Sequence, residues 1–330
     1  MISVNRRVRT WLLVALLIVI AAGLSGCGMA QGEVDLNAPP GWWEAVVVYP
    51  LAKLLMFLNR TLSSIGLPYS WGWAIIVLTI AIKIVTYPLT LKQLKSTKAT
   101  QQLQPRLQEL QAKYGKDRQK LAEEQTKLYQ EAGINPLGGC LPLLVQLPIL
   151  WGLYQSLYVL ANPSVGELIG AGFLWIPDLS FPDLATGTTW INQAFSAQNW
   201  GRLGAYFSLP LIMIVTQLAL QKMSQPKSDP KSKAKDSQSR MMNQMMMFMP
   251  IMFGYVTLGL PSGLTLYWSV SNVLSIIQQY IVAGWGGLAD WIPGLERRET
   301  DLVGVPASPA PPAAPSAAPA KTVKRRKRRK

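Results

Sequence analysis

The sequence contains no histidine, and its 17 acidic residues face 32 lysines and arginines. None of the acids falls inside the five longest apolar runs beyond the N-terminus. Ion- and proton-coupled carriers generally place carboxylates or imidazoles within their membrane spans, so these absences argue against that class. No phosphate-cradling glycine loop, zinc-ligand spacing or Ser/His/Asp set occurs. An ATPase, a membrane protease or any other enzyme is therefore not expected, nor is a cofactor or metal. The two cysteines, Cys27 and Cys140, are predicted on opposite sides of a bilayer and offer no disulfide framework.

What the chain does have is long apolar sequence. Apolar residues make up 49% and charged residues 15%, and the former cluster in runs at Trp71–Leu91, Leu137–Leu160, Tyr206–Leu220, Gln244–Leu260 and Leu264–Ala283. A helix needs about 20 such residues to cross a bilayer. The expected fold is an all-α polytopic membrane protein with a five-helix transmembrane core, within residues 67–285.

Positive charge lies on one side of these runs. Lys92, Lys95, Lys98, Arg106, Lys113 and their neighbours fill the first connection, and Lys222 to Arg240 carry six more cations in the third. The chain ends in Lys324-Arg-Arg-Lys-Arg-Arg-Lys330, whereas the long second connection holds Arg202 against Glu167, Asp178 and Asp183. The positive-inside rule places the first two basic segments and the tail in the cytoplasm and the mature N-terminus outside. A net charge of +15 thus reflects topology rather than DNA binding.

At the N-terminus, Arg6, Arg7 and Arg9 precede an apolar run ending in Leu24-Ser-Gly-Cys27. This predicts a secretory signal over residues 1–26, and its ending resembles a lipobox with Cys27 as the lipidated residue. Residues 27–66 then read as a tether and an amphipathic helix, Trp42 to Ile65, lying at the outer interface. Glu44, Lys53, Arg60 and Pro50 count against a sixth span there. Residues 92–132 predict a cytoplasmic helical hairpin, with Gly115 ending one helix and Asp117 capping the next. Residues 222–240 form a basic cytoplasmic loop, and 286–330 a Pro/Ala-rich disordered tail whose terminal cations suit anionic lipid or RNA.

One cation stands inside an apolar run: Lys83, with Thr79, Thr86 and Thr90 at i−4, i+3 and i+7 on the same helical face. A cation near mid-bilayer costs about 2.5–3.5 kcal/mol and usually faces a partner or water. A hydrophilic pocket explains this stripe; so does a lysine that snorkels to the headgroups. Trp268, Asn272, Ser275 and Gln279 form a second stripe, and Gln146, Trp151, Tyr154, Gln155, Gln217 and Gln221 add polarity elsewhere. Such residues line a groove or simply hold helices together, at about 0.6 kcal/mol each. The methionines of Met241-Met-Asn-Gln-Met-Met-Met-Phe-Met249 suit either ordinary lipid packing or an adaptable apolar surface.

Several segments in order, from about Trp71 to Gln279, resemble the YidC/Oxa family of membrane protein insertases. They are Ala74-Ile-Ile-Val-Leu-Thr79, Tyr87-Pro-Leu-Thr-Leu-Lys-Gln93, Gly133-Ile-Asn-Pro-Leu-Gly-Gly-Cys-Leu-Pro142, Gln146-Leu-Pro148, Gly152-Leu-Tyr154, Gln221-Lys-Met223 and Pro261-Ser-Gly-Leu-Thr-Leu-Tyr-Trp268 with Asn272. The resemblance implies five spans around a hydrophilic groove open to the cytoplasm and to lipid and closed outside. A large periplasmic domain of the kind some relatives carry has no room here. Lys83 occupies the position of the groove cation, commonly an arginine in the family; Thr79, Thr86, Gln146, Gln217, Gln221, Trp268 and Asn272 are the other expected groove residues. Nascent membrane proteins would be the clients, and the Sec translocon, ribosome, signal-recognition-particle machinery and anionic lipids the further partners, in a bacterial inner membrane. Two other functions fit the same residues: a channel or carrier for an anionic solute, and a structural lipoprotein that scaffolds an assembly.

Overall fold

In a computed structural model describing residues 34–115, 117–133, 141–183, 186–225 and 237–292, the long apolar runs are helical. Among the described residues no strand forms, only an isolated bridge between Phe173 and Ile176. The helices are α1 (Glu44–Ser64, its first turn a π-helix over Glu44–Val48), α2 (Ser70–Gln102), α3 (Gln104–Tyr114), α4 (Arg118–Glu131) and α5 (Leu141–Leu160). They are followed by α6 (Thr189–Ser196), α7 (Trp200–Ser224), α8 (Ser237–Thr257), α9 (Ser262–Ala283) and a 3-10 turn, Gly286–Asp290. The expected lipid-attachment site at Cys27, the signal segment before it, Cys140 and the terminal basic cluster lie outside the described residues.

Helix α9 is the hub. It packs along both α2 and α7, while α8 lies on α7 and α1 on α2. Among the described residues α1, α2 and α7 are long and apolar enough to cross a membrane, and α9 is not among them. The reason is composition: Thr265, Ser269, Ser271, Asn272 and Gln279 interrupt it, and all are buried. A helix enclosed by protein needs no continuous apolar surface of its own. Helix α2 is 33 residues long, about 50 Å at 1.5 Å per residue. That exceeds the ~30 Å hydrocarbon layer, so α2 carries the chain straight from the bundle into the hairpin.

The segment joining α5 to α7 closes one end of the bundle. Its Leu168, Phe173, Ile176, Leu179 and Trp190 are buried in the same core as Ile75, Leu157 and Leu264. Gly72 makes this contact possible, because the Phe173 ring occupies the space where a Cβ would stand. The first N–H groups of a helix lack intrahelical acceptors. Those of Ser262 and Gly263 donate to Phe181 O and Leu179 O at 2.9 and 2.8 Å. The opposite end is tied as well: Gln101 Nε2 donates to Met223 O and Ser224 O at 3.2 and 2.7 Å.

The hairpin forms as expected, with Asp117 accepting from the Lys120 N–H at 3.1 Å and a small core of Leu103, Leu107 and Leu128. An N-cap of this kind contributes about 1 kcal/mol. Asp117→Ala is accordingly expected to speed amide hydrogen exchange in the first turn of α4 about fivefold and to leave the transmembrane helices unchanged.

One expectation needs correction. Residues 286–292, assigned to the tail, are folded: Gly287 N–H donates to Gln225 O at 2.9 Å, Leu288 is buried, and Lys222 stands 4.7 Å over the Trp291 ring. The aromatic and glycine content of Trp285-Gly-Gly-Leu288 lets this stretch pack as a small core. Helix α1, expected at the outer interface, buries Val48, Tyr49, Ala52 and Leu55 against the bundle, and its 21 residues also admit a crossing by length and composition. Pro50 does no harm in the first turn after the π-helix. Lys53 and Arg60 face outward, the latter paired with Glu167 at 3.0 Å. The N-terminal end of α1 meets α5 near its C-terminal end rather than along its length: Trp43 Nε1 donates to Gln155 Oε1 at 2.5 Å, and Ser156 Oγ to Val48 O at 2.9 Å.

Candidate functional site

Four helices lose their buried positions at one level. No residue of α2 from Ile80 to Lys92 is buried, nor of α5 from Gln146 to Trp151, of α7 from Ile214 to Lys222, or of α9 from Val273 to Gln278. Toward the closed end the same helices are densely packed, with Ala74, Ile75, Leu153, Leu157 and Met213 fully enclosed. Prolines contribute to this divergence: Pro88 in α2 and Pro148 in α5 fall within the loosened stretches, and Pro210 lies just before that of α7. A proline inside a helix lacks the N–H for the i−4 bond and is a common cause of bending. The bundle is therefore tight at one end, splayed through a middle band at the level of Lys83, and tied again nearer the hairpin, where Gln93, Met223 and Gln279 are buried.

Lys83 sits where the splaying begins. Its Nζ donates to Ser275 Oγ at 2.7 Å, and that hydroxyl donates to Ser271 O at 2.8 Å. Among the described residues no carboxylate lies within ion-pair distance of Lys83; the ion pairs there are Arg60–Glu167 and Lys127 with Glu123 and Glu124. An ammonium has three donors, and Ser275 takes one. One turn further along α9, Gln278 Oε1 is enclosed without a hydrogen-bond partner. Two ammonium donors of Lys83 are thus unspent, as a site that polar groups enter requires.

The other expected residues separate into two sets. Thr86, Gln146, Gln217, Gln221 and Trp268 are partly buried at or near this level. Gln146 Nε2 donates to Tyr267 Oη at 2.8 Å, and Trp268 packs edge-on against Phe253 of α8 with ring centroids 5.3 Å apart. Thr79 and Asn272 are buried instead. Thr79, 0% exposed, donates to Ile75 O of its own helix at 2.6 Å. Asn272 reaches Thr216 Oγ1 of α7 at 3.3 Å, as Gln279 reaches Ser224 Oγ at 3.1 Å. These two amides tie α9 to α7. Thr86 and Thr90 also spend their hydroxyls on the preceding turn.

Since the Thr79 hydroxyl is spent inside its own helix and its surface is fully covered, Thr79→Val is expected to leave activity within about twofold. Its thermal midpoint should stay within about 3 °C, because the loss of a back-bonded hydroxyl is a small term.

Sequence reasoning did not single out Ser275 as the partner of Lys83, although it belonged to the recognised stripe. It also missed Tyr267 as the partner of Gln146. Ser275 is 13 positions into α9 as Lys83 is into α2, about 20 Å from the closed ends of both helices. That equal depth was the available signal.

Comparison with known proteins agrees with this architecture. The sequence model of a family described as 60Kd inner membrane protein matches residues 62–285. The chain is 38% identical over 279 residues to inner membrane ALBINO3-like protein 2, chloroplastic, of Chlamydomonas reinhardtii, covering 79% of this chain and 63% of that one. It is 38% identical over 252 residues to membrane protein insertase YidC of Psychromonas ingrahamii, covering 76% and 37% respectively. A crystal structure of an active YidC insertase with the first transmembrane domain resolved superposes with a TM-score of 0.51 at 28% identity, over 73% of this chain and 47% of that one. The chain thus spans between roughly a third and two thirds of the length of these proteins. Family model, relatives and solved structure converge: the chain belongs to the YidC/Oxa family of multi-pass inner-membrane proteins.

Proposed function

We propose that the chain is a membrane protein insertase that works without nucleotide, using the splayed space beside Lys83 as a polar hollow within the bilayer. The observation that carries this reading is the loss of buried positions in α2, α5, α7 and α9 at the level of an ammonium with no carboxylate partner among the described residues. A client's polar, acidic N-terminal segment enters from the hairpin side and is held at Lys83 Nζ. Moving polar groups into hydrocarbon costs several kcal/mol each, and the hollow removes much of that cost. The client's apolar segment meanwhile partitions directly into lipid, which supplies the driving force.

In this reading the hairpin faces the cytoplasm, as the charge distribution requires, and the packed segment around Phe173 and Trp190 seals the outer end. Helix α1 slants across the outer part of the bundle, held by Gln155, Ser156 and Glu167. Cys27 anchors the mature N-terminus in the outer leaflet. The hairpin and the basic tail meet the ribosome, the signal-recognition machinery or the Sec translocon, and the tail also meets anionic lipid.

Reconstitution into sealed vesicles distinguishes insertase from carrier. Insertion of a single-span client with an acidic N-terminal tail, in the absence of nucleotide, is the expected result. Flux of an anionic solute without client insertion would replace the insertase with a carrier.

A further inference from the structure

A cavity lined by both polar and apolar groups lies at the closed end of the bundle, away from Lys83. It has a volume of about 510 Å³ and is formed between the segment following α5 and the first two turns of α7. We propose that it holds the headgroup of a zwitterionic phospholipid, of the ethanolamine type, from the leaflet at that end.

The cavity contains one charge of each sign. Arg202 stacks its guanidinium 4.5 Å above the Phe181 ring and has no carboxylate within ion-pair distance among the described residues. Asp178 has Oδ1 fixed by the N–H and hydroxyl of Ser180 at 2.8 and 2.7 Å. The two charges line one space without pairing with each other. A lipid with a phosphate and a primary ammonium two carbons apart presents the complementary pair: phosphate to Arg202, ammonium to Asp178. A phosphatidylglycerol meets Arg202 equally well but offers Asp178 only neutral hydroxyls in place of the ammonium.

The walls are made of packed rings. Phe181 packs against Tyr206 with centroids 4.8 Å apart and against buried Trp190 at 5.8 Å. Trp175 is held across the opening by its Nε1–H, which donates to Ser208 Oγ at 2.6 Å. The depth also fits a lipid. The cavity opens where α7 begins, and around it Leu174, Trp175 and Trp200 are 50, 53 and 61% exposed. Exposed indole rings beside helix ends mark the headgroup zone, and the volume falls within the ~300–1,000 Å³ of small-ligand sites.

The test uses the full-length protein in detergent, with native mass spectrometry of bound palmitoyl-oleoyl phosphatidylethanolamine in competition with the matching phosphatidylglycerol. The ethanolamine lipid is expected to win by about tenfold, and Asp178→Asn to bring the ratio close to one while binding of the glycerol lipid persists. Arg202→Gln is expected to lose both lipids. The competition on the unaltered chain stands whether or not a variant folds. Equal occupancy by the two lipids would overturn the proposal in favour of a plain anion site. Saturation by O-phosphoethanolamine at concentrations similar to the lipid would overturn it in favour of a soluble ligand.

Discussion

Lys83→Leu is expected to lower insertion of clients with acidic N-terminal tails by about tenfold to a hundredfold, while Lys83→Arg stays within about threefold of the parent. A hydrogen bond to a charged group contributes about 1.5–3 kcal/mol, and each 1.4 kcal/mol is a factor of ten in rate. Arginine keeps the charge and can still donate to Ser275, although its flat fork alters the geometry. Leucine removes a half-buried cation that has no carboxylate to neutralise it among the described residues, so the fold should lose nothing: the thermal midpoint in detergent is expected to stay level or rise. That combination, activity down and stability not down, separates a functional charge from a structural one. A client with a short neutral tail should be affected about threefold or less. Equal loss for acidic and neutral tails would detach the charge from the mechanism.

Trp190→Ala is expected to cost about 3–5 kcal/mol, the usual range for deleting a buried large aromatic. The indole is 1% exposed, and three rings pack on it: Phe181, Tyr206 and Phe207, all with centroids within 5.8 Å. Its Nε1–H donates to Leu258 O at 2.8 Å, just beyond α8. Truncation leaves a cavity and an unsatisfied carbonyl together. The thermal midpoint in detergent should fall by about 10 °C or more. Trp190→Phe, which keeps a ring in the cavity and loses mainly the hydrogen bond, should cost about 1–2 kcal/mol. Because the proposed function makes this packing the seal of the bundle, Trp190→Ala vesicles should also leak small solutes where Lys83→Leu vesicles do not.

The membrane class, the order of the helices and the hairpin were legible because each rests on a local signal: apolar length, lysine placement, a capping aspartate followed by a helix. Helix ends were less legible. The third span was expected over Tyr206–Leu220 and runs over Trp200–Ser224, because its polar flanks are carried by neighbours rather than by hydropathy. The seal was not legible at all. Leu168, Phe173, Ile176 and Leu179 show no helical or strand period, and only their joint burial against Gly72 and Gly263 reveals them as core.

The expected site residues divide into two groups for a related reason. A polar stripe on a membrane helix has two uses, lining water or gluing helices, and spacing is the same for both. The structure divides them by depth: Thr79 and Asn272 fall where the bundle is tight, while Lys83, Thr86 and Ser275 fall where it opens. Among those, Ser275 is the residue that fixes the ammonium.

The claim on which the rest depends is that water and anions reach Lys83 from the hairpin side. Ser275→Cys, in a chain carrying Cys27→Ala and Cys140→Ser, places a thiol beside the ammonium while leaving it intact. Membrane-impermeant methanethiosulfonates added to that side of sealed vesicles report both access and charge. The account predicts modification within about tenfold of the rate at exposed Gln102→Cys, and a sulfonate reagent faster than a trimethylammonium one. No reaction at residue 275 while residue 102 reacts, or the reverse order of the two reagents, would contradict it.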